Sequence, residues 1–387
     1  MKNVEEEIRV LIQRNGPITF SQFMQICLYS PQGGFYSTRA NRINTNFGTS
    51  PTSHPLFGTL IAKQLKQMWE ILDCPSTFQV IEVGSGDGAL ARSIVDEIQL
   101  IDSGLSQALQ YIATDYEPWW PESLSEILGW DGKTQNSRPN ERKITWGIDR
   151  VKAMGVTPFK NIIGCIICNE LVDNFPFHQF VIQNGSIKEV YVTISNKGFT
   201  EILETPSTPL IEKRLSSLNL SLPDGYRSEV NLVIDSWMNQ VFQTLDKGFV
   251  LSIDYGELSK DLYSLKNNLG TLMCYNRHVY SNNPYQNIGS QDITSYVDFT
   301  SLMSSGEKQG FTTQGYSLQR NFLQNLGFYS YLDSLDTKDL PYARKELSRI
   351  AMKTLIDPED YGDFKVLIQS KGITNELDLV GFKNQTK

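Results

Sequence analysis

In the first part of the chain, apolar residues recur with the period of an α-helix. Residues 2–15 and 18–29 both have this spacing, and Thr19 or Ser21 would cap the second helix. A third and longer helical pattern follows at 57–72 and presents one apolar side. The pattern therefore predicts a helical N-terminal region.

Short and nearly continuous apolar runs follow, and they are typical of strands buried on both faces. Helical patterns separate most of them. Strands alternating with helices indicate an α/β fold with a parallel sheet covered on both sides. The predicted strands are at 78–83, 110–114, 161–168, 248–254 and 364–369.

The alternation stops between residues 177 and 204. Two hairpin signals lie between runs of strand-forming residues. They are the pair Asn184-Gly185 and the tripeptide NKG at 196–198. We therefore expect an inserted element of three antiparallel strands. Residues 130–143 are polar and predict a loop.

Composition and charge narrow the range of functions. The chain has 387 residues, 40% apolar and 20% charged, with a net charge of −8 and no run of basic residues. This balance argues against a nucleic-acid partner. No apolar stretch approaches 18 residues, and the acidic N-terminus is unlike a signal or transit peptide. We therefore expect no membrane partner and a cytoplasmic location, in a bacterium.

The cysteines and histidines do not predict a metal site. Cys165 and Cys168 have the CxxC spacing, but they lie inside a predicted buried strand, where thiols act as small apolar groups. A zinc site would need a second pair of ligands. The three histidines, His54, His178 and His278, are far apart in sequence.

Three glycines mark the turn after the first predicted strand. Gly84, Gly86 and Gly88 follow 78–83 and precede a helical pattern. Glycine permits positive φ and lets a ligand approach the backbone closely. Open α/β sheets bind ligands at this end of their strands. Asp115 ends the next strand, where it could accept hydrogen bonds from a ribose.

The details of the turn favour one class of cofactor. Its spacing is G-x-G-x-G, whereas dinucleotide-binding turns have G-x-G-x-x-G. Glu82, just before the glycines, would repel phosphates but would help to neutralise a cation. S-adenosylmethionine (SAM) carries an ammonium and a sulfonium group, so the turn favours SAM over NAD.

Several longer motifs resemble those of the MidA-type SAM-dependent methyltransferases, a family that includes a mitochondrial complex I assembly factor. The resemblance extends over nearly the whole chain. Its motifs are NFGTSPTSHPLFG (46–58), VIEVGSGDGAL (80–90), CNELVDNFPFHQF (168–180), LSIDYGE (251–257), GTLMCYNRH (270–278), GSQDITSYVDFTSL (289–302), SLQRNFLQNLG (317–327) and DPEDYGDFKVLIQSKG (357–372).

The resemblance implies a Rossmann-like, seven-strand class I methyltransferase sheet with inserted elements, and SAM as the methyl donor. It also implies site residues by position. Glu82, Gly84, Gly86 and Asp115 would hold SAM, Thr49, Ser50 and Pro51 would close over its methionine end, and Asn169, Glu170 and Asp173 would lie at the end of the 161–168 strand beside the transferring methyl.

The domain organisation follows from the motif order. The long aperiodic segment 31–55 has a Gly33-Gly34 pair and several aromatic residues, and it is predicted to be a lid over SAM. The predicted parts are an N-terminal helical region with this lid (1–75), the first part of the SAM-binding core (76–176), an inserted hairpin-rich β element (177–226), and the rest of the core with an acceptor-site insertion at 256–300 (227–387).

The chain departs from the family pattern near the implied site. Asn46 and Thr52 stand where acidic residues are expected, and Asp87 replaces an arginine. An arginine acceptor depends on carboxylates that pair with its guanidinium group. We therefore expect a small-molecule O-methyltransferase. The alternatives are a protein arginine N-methyltransferase and a SAM-binding assembly factor with little turnover.

A base is needed only if the acceptor must lose a proton. The candidates are Glu170, Asp173 and His278, with His178 as an alternative. Each of these residues could have a structural role instead. Glu170 and Asp173, for example, could cap a loop. Asp254 and Tyr255, which end the 248–254 strand, are as much structural as site candidates. His278 lies among aromatic residues that suit a neutral acceptor, namely Tyr275, Tyr280, Tyr285, Tyr296 and Phe299. The oligomeric state stays open.

Overall fold

The computed structural model describes residues 3–37, 48–115, 147–153, 155–218, 220–277, 279–373 and 375–383. The described residues divide into two compact units. The parallel-sheet unit contains those within 48–169, 240–253 and 310–387. The antiparallel-sheet unit contains those within 1–47, 170–239 and 254–309. The domain boundaries predicted above stay predictions, and the predicted loop at 130–143 lies outside the described residues.

The strands of the described residues are numbered in chain order. They are β1 (Ile18–Thr19), β2 (Phe78–Val83), β3 (Leu109–Asp115), β4 (Ile148–Lys152), β5 (Ile162–Asn169), β6 (His178–Gln183), β7 (Ser186–Ser195), β8 (Gly198–Glu204), β9 (Arg227–Val230), β10 (Leu245–Asp254), β11 (Gly256–Glu257), β12 (Met273–Asn276), β13 (Val279–Ser281), β14 (Asp292–Thr294), β15 (Val297–Asp298), β16 (Thr312–Leu318) and β17 (Lys365–Lys371).

The helices are numbered in the same way. They are α1 (Val4–Asn15), α2 (Phe20–Tyr29), α3 (Ser50–Ser53), α4 (Leu56–Ile71), α5 (Ala89–Ile101), α6 (Ser103–Ala108), α7 (Pro209–Ser217), α8 (Val233–Thr244), α9 (Ser259–Leu262), α10 (Phe299–Gln309), α11 (Gln319–Asn325), α12 (Phe328–Ser334) and α13 (Tyr342–Thr354). Single 3₁₀ turns lie at Phe35–Ser37, Val172–Asn174, Leu265–Asn267, Leu335–Thr337 and Val380–Phe382.

The parallel-sheet unit is built on a sheet that has seven strands within the described residues. Their order is β16-β17-β10-β5-β2-β3-β4. The strands β10, β5, β2, β3 and β4 run parallel to one another, and β16 pairs antiparallel with β17. This arrangement confirms the predicted α/β class and the seven-strand methyltransferase sheet. It places the carboxyl ends of β2 and β3 side by side.

Two helices pack closely over this sheet. Apolar side chains of α4 and α5, such as Leu65 and Ile94, are fully buried in one core with Phe78 of β2. Gly58 of α4 lies against α5, since a Cβ at this position would come within 2.1 Å of Ser93 Oγ. The close packing fixes α5, the helix that follows the glycine turn, against the sheet.

Two glycines lie opposite each other on adjacent strands of the same sheet. Gly164 of β5 pairs with Gly248 of β10 on one side and with Gln79 of β2 on the other. The φ angles of Gly164 and Gly248 are 155° and 149°. A Cβ on Gly164 would come within 1.9 Å of Gln79 O, and one on Gly248 within 2.0 Å of Gly164 O. The strand pairing at this place therefore requires glycine at both positions.

The antiparallel-sheet unit contains the predicted hairpins. The strands β6, β7 and β8 are antiparallel, as expected from the sequence. Asn184 and Gly185 have φ angles of 52° and 71° at the first turn, which agrees with the Asn-Gly signal. Two strands that the sequence did not predict, β1 and β9, complete this sheet.

The helices α1 and α2 pack in the same unit. Thr19 caps α2, accepting a hydrogen bond from Gln22 N, and the Gln22 side chain accepts one from Thr19 N. This confirms the predicted cap. The helices share a core with Cys274 of β12 and Ile293 of β14, which belong to a small sheet with the order β13-β12-β14. Among the described residues, no helix combines the length and the apolar character needed to cross a membrane.

Candidate functional site

The glycine turn joins β2 to α5 in the parallel-sheet unit. The backbone N–H groups of Gly84 and Ser85 both donate to Thr114 O of β3, each at 2.9 Å. Gly88 N donates to Ser85 O at 2.8 Å, and Gly88 has a φ of 75°. The turn therefore closes tightly against the end of β3, next to Asp115.

Gly86 is the tip of this turn. Its N–H donates to Oδ2 of Asp115 at 2.9 Å, and its φ is 53°. A Cβ on Gly86 would meet no atom of the described residues within 4 Å. Beside it, the buried hydroxyl of Ser85 has no hydrogen-bond partner among the described residues. The turn thus offers space at its backbone and an unused polar group.

Glu82 lies beneath the turn and is almost completely buried. Its Oε2 accepts a hydrogen bond from the Tyr111 hydroxyl at 2.8 Å. Burial, with the nearby carboxylates of Asp87 and Asp115, raises the pKa of Glu82 to about 8. A cationic ligand would favour the charged form of this carboxyl group. The acidic side chains and the open turn therefore fit a cofactor with an ammonium and a sulfonium group.

The predicted residues Thr49, Ser50 and Pro51 form the start of α3. Thr49 N donates to Thr52 Oγ1 at 2.9 Å, so Thr52, which replaces an expected acid, caps this short helix. Ser50 is fully buried and exchanges hydrogen bonds with the Gln319 side chain. The helix α3 packs against α5. That these residues close over the cofactor stays a prediction.

The antiparallel-sheet unit contains the predicted acidic residues. Glu170 follows Asn169, the last residue of β5, in the chain, and it has a left-handed φ of 47°. Such a conformation is strained for a residue other than glycine and is often found at functional sites. Glu170 is half-buried.

Asp254 fixes the turn after Glu170. Its Oδ2 accepts hydrogen bonds from the backbone N–H groups of Leu171, Val172 and Asp173, at 3.2, 3.0 and 3.3 Å. Burial and the nearby carboxylate of Asp173 raise the pKa of Asp254. Asp254 therefore has a structural role, since it positions Asp173.

Asp173 is buried beside Tyr255. The Tyr255 hydroxyl donates to Oδ2 of Asp173, whereas the buried Oδ1 has no hydrogen-bond partner among the described residues. Burial raises the pKa of Asp173 to about 7. The side chain therefore keeps one oxygen available at a pKa suited to proton transfer near neutral pH.

A third aspartate, Asp292, was not predicted from the sequence. Its Oδ2 accepts a hydrogen bond from the Tyr36 hydroxyl at 2.8 Å, and its Oδ1 accepts from Asn174 Nδ2 at 3.0 Å and from Ile293 N at 2.9 Å. Burial and the charge of Asp173 raise the pKa of Asp292 to about 8. Through its contact with Asn174, Asp292 thus also binds the turn that carries Asp173.

The three aspartates Asp173, Asp254 and Asp292 form no ion pair within the described part of the chain. Nor do any three His, Cys, Asp or Glu side chains there form a group able to hold a metal ion. Buried carboxyl groups are usually paired with a cation. The three carboxyl groups are therefore buried without a cationic partner among the described residues.

Of the two histidine candidates, the structure describes only His178, which contacts a glutamate and not the three aspartates. His178 lies in β6, where its Nδ1 is 2.6 Å from Oε1 of the buried Glu189. This contact gives His178 a structural role within the sheet. His278 and Asn46 lie outside the described residues.

Comparison with known proteins decides the family. The family described as "Putative S-adenosyl-L-methionine-dependent methyltransferase" matches residues 60–317. The chain belongs to this family. It is a SAM-dependent methyltransferase of the MidA type, with SAM as its cofactor.

Relatives of this methyltransferase match over most of their length. The mitochondrial protein arginine methyltransferase NDUFAF7 homologue of Drosophila melanogaster is 24% identical over 98% of this chain and 88% of its own. The protein arginine methyltransferase NDUFAF7 of Homo sapiens is 23% identical, over 91% and 79%. A crystal structure from Burkholderia thailandensis, bound to S-adenosyl-homocysteine, is 26% identical with a TM-score of 0.83, and covers 98% of this chain and 94% of its own.

Proposed function

We propose that this methyltransferase transfers the methyl group of SAM to an arginine side chain of a protein. The observation that carries the proposal is the set of three buried aspartates without an ion-pair partner among the described residues. A guanidinium group is planar, permanently charged and suited to bidentate contact with carboxylates. The names of the Drosophila and human relatives support the same acceptor.

The sequence favoured a small-molecule acceptor because acids are missing at Asn46 and Thr52. The described structure contains other carboxyl groups that a bound guanidinium would favour in their charged form, since Asp254 and Asp292 accompany Asp173. Thr52, in turn, is engaged in capping α3. The missing acids therefore no longer argue against an arginine.

The residues of the glycine turn would hold the cofactor. SAM supplies an electrophilic methyl group on a sulfonium, which is already a good leaving group. Glu82 and Asp115 provide negative charge near the turn, and Ser85 Oγ provides a free hydrogen-bonding group. The rest of catalysis is then positioning of the acceptor and removal of one proton.

Asp173 is our choice for the proton acceptor. When the N–CH₃ bond forms and the S–CH₃ bond of the cofactor breaks, the reacting nitrogen must lose one proton, so that the methylated product is again a singly charged guanidinium. Oδ1 of Asp173 has no donor among the described residues, so it can take this proton while Oδ2 stays bonded to Tyr255. A pKa near 7 suits both uptake and later release of the proton.

A small-molecule oxygen acceptor is the second candidate. It is favoured by the raised pKa values of Asp173 and Asp292, because a neutral acceptor would leave these carboxyl groups protonated and uncharged at neutral pH. The neutral aromatic residues Tyr275 and Tyr296 would also suit such a substrate.

One experiment separates these functions. The purified protein is incubated with SAM carrying a radioactive methyl group and with cell lysate, which is then divided into protein and small-molecule fractions. Label recovered as methylarginine after protein hydrolysis supports the proposal. Label in the small-molecule fraction supports the second candidate. SAM binding in calorimetry without label in either fraction would favour an assembly factor with little turnover.

A further inference from the structure

A row of three side chains crosses the small sheet of the antiparallel-sheet unit. Tyr280 of β13 lies opposite Tyr275 of β12, and Tyr275 lies opposite Asp292 of β14. Residues directly opposite each other in antiparallel strands project from the same face. Cys274 and Ile293 project from the other face, where they are buried in the core with α1 and α2. The row therefore lies on the face of the small sheet opposite Cys274 and Ile293, and at its inner end the Tyr36 hydroxyl covers Asp292.

The row leads from solvent to the carboxyl groups. Tyr280 is 72% exposed, Tyr275 is half-buried and Asp292 is completely buried. Burial and the nearby charge of Asp173, with smaller effects of Tyr296 and Asp292, raise the pKa of Tyr275 to about 12. Tyr275 thus lies close to two aspartates and keeps its proton at neutral pH.

We propose that Tyr280, Tyr275 and Asp292 form an arginine lane, in which an arginine of the acceptor protein lies along the row with its guanidinium over Tyr275. Asp292 and the unpartnered oxygen of Asp173 provide the negative charge at its inner end. This inference rests on the proposed function and adds to it a route of binding.

The dimensions of the lane match an arginine. Two strand-to-strand steps separate Tyr280 from Asp292, which is roughly 10 Å between their backbones. An extended arginine side chain is about 7 Å long by ordinary bond lengths, and a hydrogen bond adds about 3 Å. An acceptor backbone resting at Tyr280 can therefore bring its guanidinium within reach of the carboxyl groups.

The chemistry of the lane also selects arginine. A guanidinium stacks on aromatic rings with its flat face and still points its N–H groups outward at carboxylates. A neutral side chain would gain little from Asp173 and Asp292. The lane therefore combines two aromatic rings with buried negative charge, and the arginine side chain of a protein can contact both.

The outer end of the lane has the character of a docking surface. Val279 and Tyr280 are 68% and 72% exposed, and they lie on β13, one of the two edge strands of its sheet within the described residues. Proteins usually protect an exposed edge with charged residues or proline. These two exposed side chains suit contact with the polypeptide on either side of the arginine.

The test uses a fluorescein-labelled peptide with one arginine flanked by serine and valine, and the same peptide with citrulline in place of arginine. Fluorescence anisotropy gives the Kd of each peptide for the full-length protein. We expect the wild type to prefer the arginine peptide. Tyr280→Ala and Tyr275→Leu should each weaken its binding roughly tenfold, while Tyr275→Phe, which keeps the ring, should bind nearly as the wild type does.

Tyr342→Ala is the matched control, because Tyr342 is 79% exposed and lies on α13 of the parallel-sheet unit. It should leave peptide binding unchanged within twofold. Equal binding of both peptides, absence of binding, or wild-type Kd values for Tyr280→Ala and Tyr275→Leu would overturn the lane.

Methylation of the same peptide separates the lane from the proposed function. If the arginine peptide binds through Tyr280 and Tyr275 but label enters only small molecules, the lane stands and the proposed function fails. If methylarginine forms with an unchanged KM in both variants, the function stands and the lane is wrong.

Discussion

The hydroxyl of Tyr255 donates a hydrogen bond to Oδ2 of Asp173, while Oδ1 of the same buried carboxyl group has no partner among the described residues. Leaving a buried polar group without a partner costs about 1–3 kcal/mol. A bound acceptor that donates a hydrogen bond to Oδ1 would remove this cost. The pair therefore combines a fixed orientation with one oxygen ready for a ligand.

Asp173→Asn should lower kcat by about 10²–10⁴-fold, because the amide cannot take a proton from the acceptor. The affinity for SAM, measured by calorimetry, should stay within twofold. In the wild type, kcat should rise as the pH increases through about 7, where Asp173 loses its proton. Asp261→Asn, a change at an exposed carboxylate of the same unit, is the control and should keep full activity. A kcat within threefold of wild type in Asp173→Asn would exclude Asp173 as the base.

Glu170→Gln should reduce turnover sharply while SAM affinity changes little, if Glu170 orients the acceptor. Glu170→Gly removes the same carboxylate and also relieves the left-handed backbone at φ 47°. We expect the glycine variant to be more stable than the glutamine variant by about 1 kcal/mol in urea unfolding. Equal activity of Glu170→Gln and wild type would limit Glu170 to a structural role.

Gly86→Val should abolish SAM binding in calorimetry, since the new side chain would occupy the open space beside the turn. Its left-handed backbone, at φ 53°, adds strain. Gly185→Val is the matched control, because Gly185 also has a positive φ, 71°, and open space around it, but lies in the hairpin between β6 and β7. Both variants should lose about 1–2 kcal/mol of stability, and only Gly86→Val should lose SAM. If Gly86→Val folds and binds SAM normally, the cofactor site is misplaced.

Asp292→Asn should reduce the dependence of stability on pH. The pKa of Asp292 is raised to about 8 in the folded state, so between about pH 4 and pH 8 the folded protein binds more protons at this group than the unfolded chain does. Its contribution to the free energy of unfolding therefore falls as the pH rises through this window.

An asparagine can keep the local contacts, since its Oδ1 can accept from Asn174 and Ile293 while its Nδ2 donates to the Tyr36 oxygen. The free energy of unfolding, measured with urea, should fall from pH 5 to pH 9 in both proteins. This fall should be smaller in Asp292→Asn than in wild type by at least about 1 kcal/mol. The same loss in both proteins would mean that Asp292 is charged throughout this range.

The sequence predicted five of the seven strands described in the parallel-sheet unit, because those five carry nearly continuous apolar runs, and it missed β4 and β16. The strand 78–83 was predicted with the bounds that β2 has, and the helix predicted at 57–72 corresponds to α4. The strands β1 and β9 were missed, since they are two and four residues long. Such short strands exist only because β7 and β6 provide partners.

The glycine turn of the candidate site was predicted from the sequence, whereas one member of the aspartate cluster was missed. Glu82, Gly84 and Gly86 are near neighbours in sequence, and parallel pairing of β2 with β3 places Asp115 beside them. Asp292 was missed because its environment is set by distant contacts. The Tyr36 hydroxyl that binds it is 256 positions away in the chain, and no local pattern encodes such a contact.

We expect the glycines of the parallel-sheet unit to be needed for different reasons, some for folding and one for binding the cofactor. Gly164 and Gly248 admit no side chain because a Cβ would strike the backbone of the next strand, whereas Gly86 faces open space. In a library of random variants sorted only for soluble expression, positions 164 and 248 should stay glycine and position 86 should drift to residues such as asparagine that tolerate a positive φ. Sorting the same library for cofactor retention should restore glycine at 86, so the two screens would separate what the chain needs to fold from what it needs to work.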